Sequence, residues 1–184
     1  IMLMAWLLLP VVLRLSQRYE KKTAYSVAAG SWAVLMLATL LLPQGARMPA
    51  YILCALSGFG IAAIHLIPSA MLPDVIEVDE LASGQRQEGA YAGVTHFVGK
   101  LGQMATLALL PVILHWAGYI QPSAETPLPV QPAAALQVLR LTIAILPALF
   151  LGVSILVAHF YPLTRERHAQ IRQELAGRRP LNRE

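Results

Sequence analysis

Charge is what this sequence has least of. Asp, Glu, Lys and Arg make up 13% of its 184 residues, where a water-soluble domain carries about a quarter. So few charged groups cannot supply the surface of a soluble fold of this length, and a free-standing water-soluble domain is excluded. Cysteine is nearly absent as well. The single Cys54 rules out an internal disulfide and offers no metal-ligand spacing; inside an apolar run it reads as a small buried hydrophobe. No nucleophile with a partnered base and no phosphate-cradling glycine loop stands out, which argues against an enzyme and gives no reason to expect a cofactor. The net charge of +4 does not indicate a nucleic-acid partner, because the basic residues flank apolar segments as membrane anchors do. The opening Ile-Met-Leu-Met-Ala-Trp has no charged n-region or cleavage site before it and does not read as a signal peptide. It reads as the interior of an apolar stretch, so the chain is taken as the C-terminal part of something longer.

What is present is long apolar runs, with 57% hydrophobic residues overall. About 20 apolar residues suffice to cross a bilayer as a helix. Residues 1–13 form a partial span ended by Arg14, and further spans are expected at 24–43, 50–72, 90–117 and 137–161. The fold class is therefore all-α, a polytopic transmembrane helix bundle over 1–161 followed by a cytoplasmic tail over 162–184. Pro68, Pro111 and Pro147 fall inside spans, where neighbouring helices and local kinks re-satisfy the freed backbone groups. Lys and Arg in the short loops set the orientation. Arg14, Arg18, Lys21 and Lys22 place the first loop inside, and Arg165, Arg167, Arg172, Arg178, Arg179 and Arg183 place the tail there too. The connections 43–49 and 118–136 then lie outside, the second as a loose Pro- and Ala-rich loop. Residues 73–89 read as an inner loop that is unusually acidic, and 163–176 as a polar surface helix.

Lys100 is the most informative residue. A charge that deep in a span is costly and usually faces the bundle interior or a water-filled cavity; the alternative is that its long stem snorkels to the interface. His96, Lys100 and Gln103 fall at i, i+4 and i+7, on one helix face, and Gly93 extends that face by a turn. His65 lies late in an earlier span, where it serves either as a hydrogen-bonded packing residue or as a substrate or proton contact. The acidic segment gathers Asp74, Glu77, Asp79, Glu80 and Glu88 against Arg86. It is either a solvated loop or a salt-bridge gate, in which pairs of about 1 kcal/mol or less open and close easily. Gly89 and Gly93, four apart, read as tight helix packing. The basic run 15–22 reads as a topology anchor, a lock between two helices on the inner face, or both. His115, His159 and His168 receive no role.

Met-Leu-Pro-Asp-Val-Ile-Glu-Val-Asp-Glu (71–80), then Arg86-Gln-Glu-Gly89 and Phe97-Val-Gly-Lys-Leu-Gly-Gln103, resembles the glycoside–pentoside–hexuronide:cation symporters. These are the melibiose-carrier family within the major facilitator superfamily. Phe160-Tyr-Pro-Leu-Thr-Arg-Glu-Arg-His168 looks like that family's last-helix exit and tail, and the run 15–22 resembles its loop between helices 8 and 9, with Glu20 where a glycine is common. The resemblance covers nearly the whole chain and implies helices 8 to 12 of a twelve-helix carrier.

That resemblance implies a cation-coupled symporter of a sugar or glycoside working by alternating access in a bacterial inner membrane. Lys100 matches the family's helix-11 lysine beside the sugar and cation sites, and His96 falls where a polar sugar-facing residue stands. Asp74, Glu77, Glu80 and Arg86 match the family's cytoplasmic gating charges. His65 stands where sugar carriers commonly have a stacking tryptophan, a departure that weakens a galactoside substrate. Relatives on the same branch move lysophospholipids, so an amphiphilic substrate is the alternative, and a non-transporting membrane remnant or scaffold is a third reading. The coupling ion, Na+ or H+, would be bound mainly by an N-terminal half of the same protein. The expected partners are that half, a lipid bilayer and a small-molecule substrate.

Overall fold

A computed structural model describes residues 2–43, 45–123 and 129–178, and every regular element among them is helical. In chain order these are α1 (Met2–Arg18), α2 (Lys21–Ala38), α3 (Arg47–Ser83), α4 (Glu88–Trp116), α5 (Ala133–His159) and α6 (Arg165–Arg178). A 3-10 turn over Thr39–Leu41 continues α2. With that turn α2 is long and apolar enough to cross a membrane, as are α3, α4 and α5, while α1 is apolar over the shorter stretch Met2–Ser16. The chain is an integral membrane protein with an all-α transmembrane bundle. Helix is the form that lets each span satisfy its own backbone polar groups in hydrocarbon. It tolerates the interior prolines Pro10, Pro68, Pro73, Pro111 and Pro147.

The core is built from small side chains. Ala5 and Val12 of α1, Ala24 and Ala28 of α2, and Ala62, Ala63 and Ile67 of α3 form one buried cluster. α2 lies at the centre, packed against both α3 and α5, and α1 packs on α3. Without a hydrophobic drive between helices in lipid, close backbone approach supplies the packing. Two glycines of α3 make that approach possible. A Cβ on Gly58 would lie 2.8 Å from Met4 Cβ and 2.9 Å from the Ala5 backbone nitrogen, and one on Gly60 would run into the Trp32 side chain. The outward faces keep their large apolar residues exposed, Leu149, Phe150, Val153 and Leu156 on α5 among them, as lipid contact requires.

Three features differ from the sequence reading. Residues 73–83 are not loop: α3 is continuous for 37 residues from Arg47 and stops only at Gly84, whose φ of 73° is left-handed. Among the acidic residues lie Val75, Val78 and Leu81, which line a groove with Ile171 of α6, and the buried Ile76. Only residues 84–87 connect α3 to α4. Cys54 is exposed rather than buried, because burial on α3 begins at Ser57. The outer connection is clamped at its base. The Ile120 N–H donates to Gln131 Oε1 at 3.0 Å, and Gln131 Nε2 donates to the Ile120 carbonyl at 2.8 Å. Residues 124–128 of that connection, and Arg179 and Arg183 of the tail, lie outside the described residues.

α6 is amphipathic. It buries Ile171 and Leu175 and packs on α3. α4 is the opposite case: it has no buried residue along its 29 positions and touches α3 and α5 only lightly.

Candidate functional site

Most of the charges gather at the end of the bundle where α3 stops, and they form two groups. Lys21, the first residue of α2, donates from Nζ to Asp74 Oδ2 at 2.6 Å and to the Ala70 carbonyl at 2.8 Å. Pro73 lacks an N–H for the Ser69 carbonyl, so Lys21 grips α3 in the turn that proline weakens. His168 of α6 reaches the same place. Its Nε2 lies 2.7 Å from Glu77 Oε2 and 3.5 Å from Asp74 Oδ1. Asp74 is buried, and a carboxylate out of water needs such partners.

The second group caps the turn into α4. Arg86 sits 3.1 Å from Glu80 through Nη1 and 2.5 Å from Glu88 through Nε. The Glu88 hydrogen bond is the main cause holding the Arg86 guanidinium above its ordinary pKa, with Glu80 adding to it. Arg86 therefore serves Glu80 and Glu88, while Asp74 and Glu77 take Lys21 and His168. Asp79 lies between the two groups with a buried Oδ2 that has no hydrogen-bond partner. Nearby, burial and then the charge of Asp74 push the Tyr161 phenol up to about 12, and its hydroxyl is buried without a hydrogen-bond partner.

The intramembrane polar residues sit apart from these. Lys100 is exposed on α4 and donates from Nζ to Gln103 Oε1 at 3.2 Å. That pair shares the predicted helix face with His96, also exposed. His65 lines a different groove, between α1 and α3, of about 420 Å³, whose walls include Trp6, Leu9 and Leu66. His65 Nδ1 is 2.9 Å from the Ile61 carbonyl, to which it donates because a carbonyl can only accept. Lys100 is not among the residues that line the His65 groove. Nor do the described residues hold a His, Cys, Asp and Glu cluster suited to a metal.

Two participants escape the sequence reading. Lys21 is not one of them: the run 15–22 also reads as a lock between two helices, and its bond to Asp74 joins α2 to α3. His168 received no role; His168, Ile171 and Leu175 at i, i+3 and i+7 were the signal that it faces α3. Arg140, near the start of α5, donates from Nη2 to the carbonyls of Thr39 and Leu40 at 3.2 and 2.8 Å, and also to that of Leu42. It closes the frayed end of α2 at the opposite side of the bundle. The rule applied to Lys100, that a charge inside an apolar span has a partner, would have singled it out.

Residues 1–165 match the family model described as "MFS/sugar transport protein". Among curated relatives, an uncharacterized symporter of Synechocystis, sll1374, is 35% identical over 168 residues, 91% of this chain and 31% of that protein. The uncharacterized symporter YjmB of Bacillus subtilis is 29% identical over 163 residues, 88% of this chain and 34% of its own length. The sodium-dependent lysophosphatidylcholine symporter 1-A of Danio rerio is 26% identical over 160 residues, 86% of this chain and 29% of the fish protein. The chain spans about a third of the length of the curated relatives it matches.

Proposed function

Because the chain belongs to the MFS/sugar transport protein family, we propose that it is the C-terminal part of a secondary active transporter. It couples entry of a sugar or glycoside to a cation, Na+ or H+, as in the melibiose-carrier branch. Substrate in such carriers sits near the midplane between two halves that rock against each other. The observation that carries this reading is α4. An otherwise apolar membrane helix presents Lys100, bonded to Gln103 at 3.2 Å, on a face that no other described helix covers. A lone cation kept at that depth is a pathway residue by default. Lys100, His96 and Gln103 supply hydrogen-bond donors and acceptors for a polyol, and His65 a further contact. The remaining bundle of the carrier closes over that face and supplies most of the ion ligands. Asp74, Glu77, Asp79, Glu80, Arg86 and Glu88 then mark the cytoplasmic gate of a bacterial inner-membrane protein with its C-terminus inside.

A second substrate class has its own support. The His65 groove is lined chiefly by apolar residues, with Trp6 and Leu9 on one wall and Ile61 and Leu66 on the other. A relative at 26% identity is named a lysophosphatidylcholine symporter. A groove of that character suits an acyl chain better than a polyol.

The test is uptake by the full-length protein in proteoliposomes. Labelled sugars and a lysophospholipid are offered with and without a Na+ or proton gradient. Gradient-driven uptake of one class is expected, and it is abolished by Lys100→Ala with insertion intact. Uptake unchanged by Lys100→Ala refutes the pathway role, and uptake indifferent to either gradient refutes the symporter.

A further inference from the structure

α6 is held on α3 by little apolar surface. Among its described side chains only Ile171 and Leu175 are buried. The charged contact beside them therefore weighs heavily in whether the helix stays docked. Side-chain exposures of 22% for His168, 21% for Glu77 and 10% for Asp74 place that contact where water screens it less than at an open surface.

The groups around His168 can be counted by element. α3 contributes Asp74 and Glu77. α2 contributes Lys21, and the preceding residue Glu20 joins Lys21, Asp74 and His168 around a small cavity of about 30 Å³. Glu20 has Lys22 within 3.9 Å as its own counter-ion. Tyr161, before α6, is neutral below pH of about 12. On α6 itself Arg167 turns to Gln170 at 3.3 Å, and Arg172 is exposed. The inner set is thus two carboxylates against one lysine. An imidazolium balances it; a neutral imidazole leaves one negative charge over, and in either form Nε2 has at most one hydrogen, which serves Glu77.

We propose that His168 is a proton-operated latch. When charged, it bridges Glu77 and Asp74 and fastens α6 across the end of α3; when neutral, it lets α6 go and leaves Glu77 without a cation. Histidine is the side chain whose ordinary charge change lies nearest neutral pH, which makes it the group of this cluster that a proton can switch. The inference goes beyond transport, and its test needs no substrate.

Spin labels are placed at Gln85→Cys and Gln173→Cys, both exposed, in a Cys54→Ala background. The full-length protein is studied in lipid nanodiscs by pulsed electron paramagnetic resonance. A single short distance is expected at pH of about 5.5 and a growing long-distance population at pH of about 8. The ratio of the two populations should change about tenfold, the factor separating a charged from a neutral hydrogen bond. His168→Gln removes the pH dependence, and His168→Lys keeps the short distance at both pH values. A wild-type distance that ignores pH, or a pH response that survives in His168→Gln, overturns the latch. If His168→Gln does not fold, His168→Lys decides: a shift like the wild type's in that variant overturns it equally.

Discussion

Replacing Arg140 by leucine should cost the bundle about 2 kcal/mol, and the figure follows from counting protons. One nitrogen, Nη2, serves the carbonyls of Thr39, Leu40 and Leu42, but it carries only two hydrogens, so the three contacts amount to about two full bonds. A charged donor contributes about 1.5–3 kcal/mol per bond in proteins generally, while side-chain bonds measured inside membranes average about 0.6 with a maximum near 1.7. Two bonds at about 1 kcal/mol each lie between those limits. Leucine keeps the volume and apolar contact of the stem, so the loss isolates the guanidinium. Lysine should recover about half, since its ammonium can reach one carbonyl but cannot fork. The assay is reversible unfolding of the full-length protein in mixed micelles of increasing denaturing-detergent fraction. About 2 kcal/mol is roughly a thirtyfold change in the folded-to-unfolded ratio. Arg140→Leu within about 0.5 kcal/mol of wild type would refute the argument, because the carbonyls would then have no need of the cation.

Adding a methyl at Gly58 should destabilise by about 1–3 kcal/mol, the range for overpacking. The new carbon meets the Ala5 backbone at 2.9 Å, and backbone cannot rotate away; the same unfolding assay reads it, and a neutral Gly58→Ala would mean α1 does not sit that close. Tyr161 should ionise at about 12, above the ordinary tyrosine value of about 10, seen as phenolate absorbance lost in Tyr161→Phe. The sign follows from the raised value: folding favours the neutral phenol. The stability this group contributes is full below its ordinary pKa of about 10 and is lost as pH climbs from about 10 to about 12. A Tyr161 that ionises at the ordinary value of about 10 would contradict its burial near Asp74.

That the chain is a bundle of apolar helices is legible in its poverty of charge, because hydrocarbon admits few alternatives to helix. Polarity misleads where it hides periodicity. Asp74, Glu77, Asp79 and Glu80 made 73–83 look like loop, yet Val75, Val78 and Leu81 keep helical spacing beneath them. Partners were harder still. Lys21 meets Asp74 across 53 positions and His168 meets Glu77 across 91. Nothing local encodes such pairs; they follow from how α2 and α6 stack on α3. The face of α4 with His96, Lys100 and Gln103 was visible because a single helix contains it.

The continuous α3 has a mechanical consequence. The acidic residues are fixed to the free end of a rod whose other end lies in the membrane. From Pro68 to Ser83 is 15 residues, roughly 22 Å at about 1.5 Å each. A rotation of about 15° at that proline would sweep the tip by roughly 6 Å, Glu77 by roughly 4 Å and Asp74 by roughly 2 Å, against the roughly 4 Å over which an ion pair holds. A small change of tilt within the bilayer is thus magnified into the making or breaking of whole contacts at the rim, with no joint needed in between. A flexible loop carrying the same charges would absorb that motion instead of transmitting it.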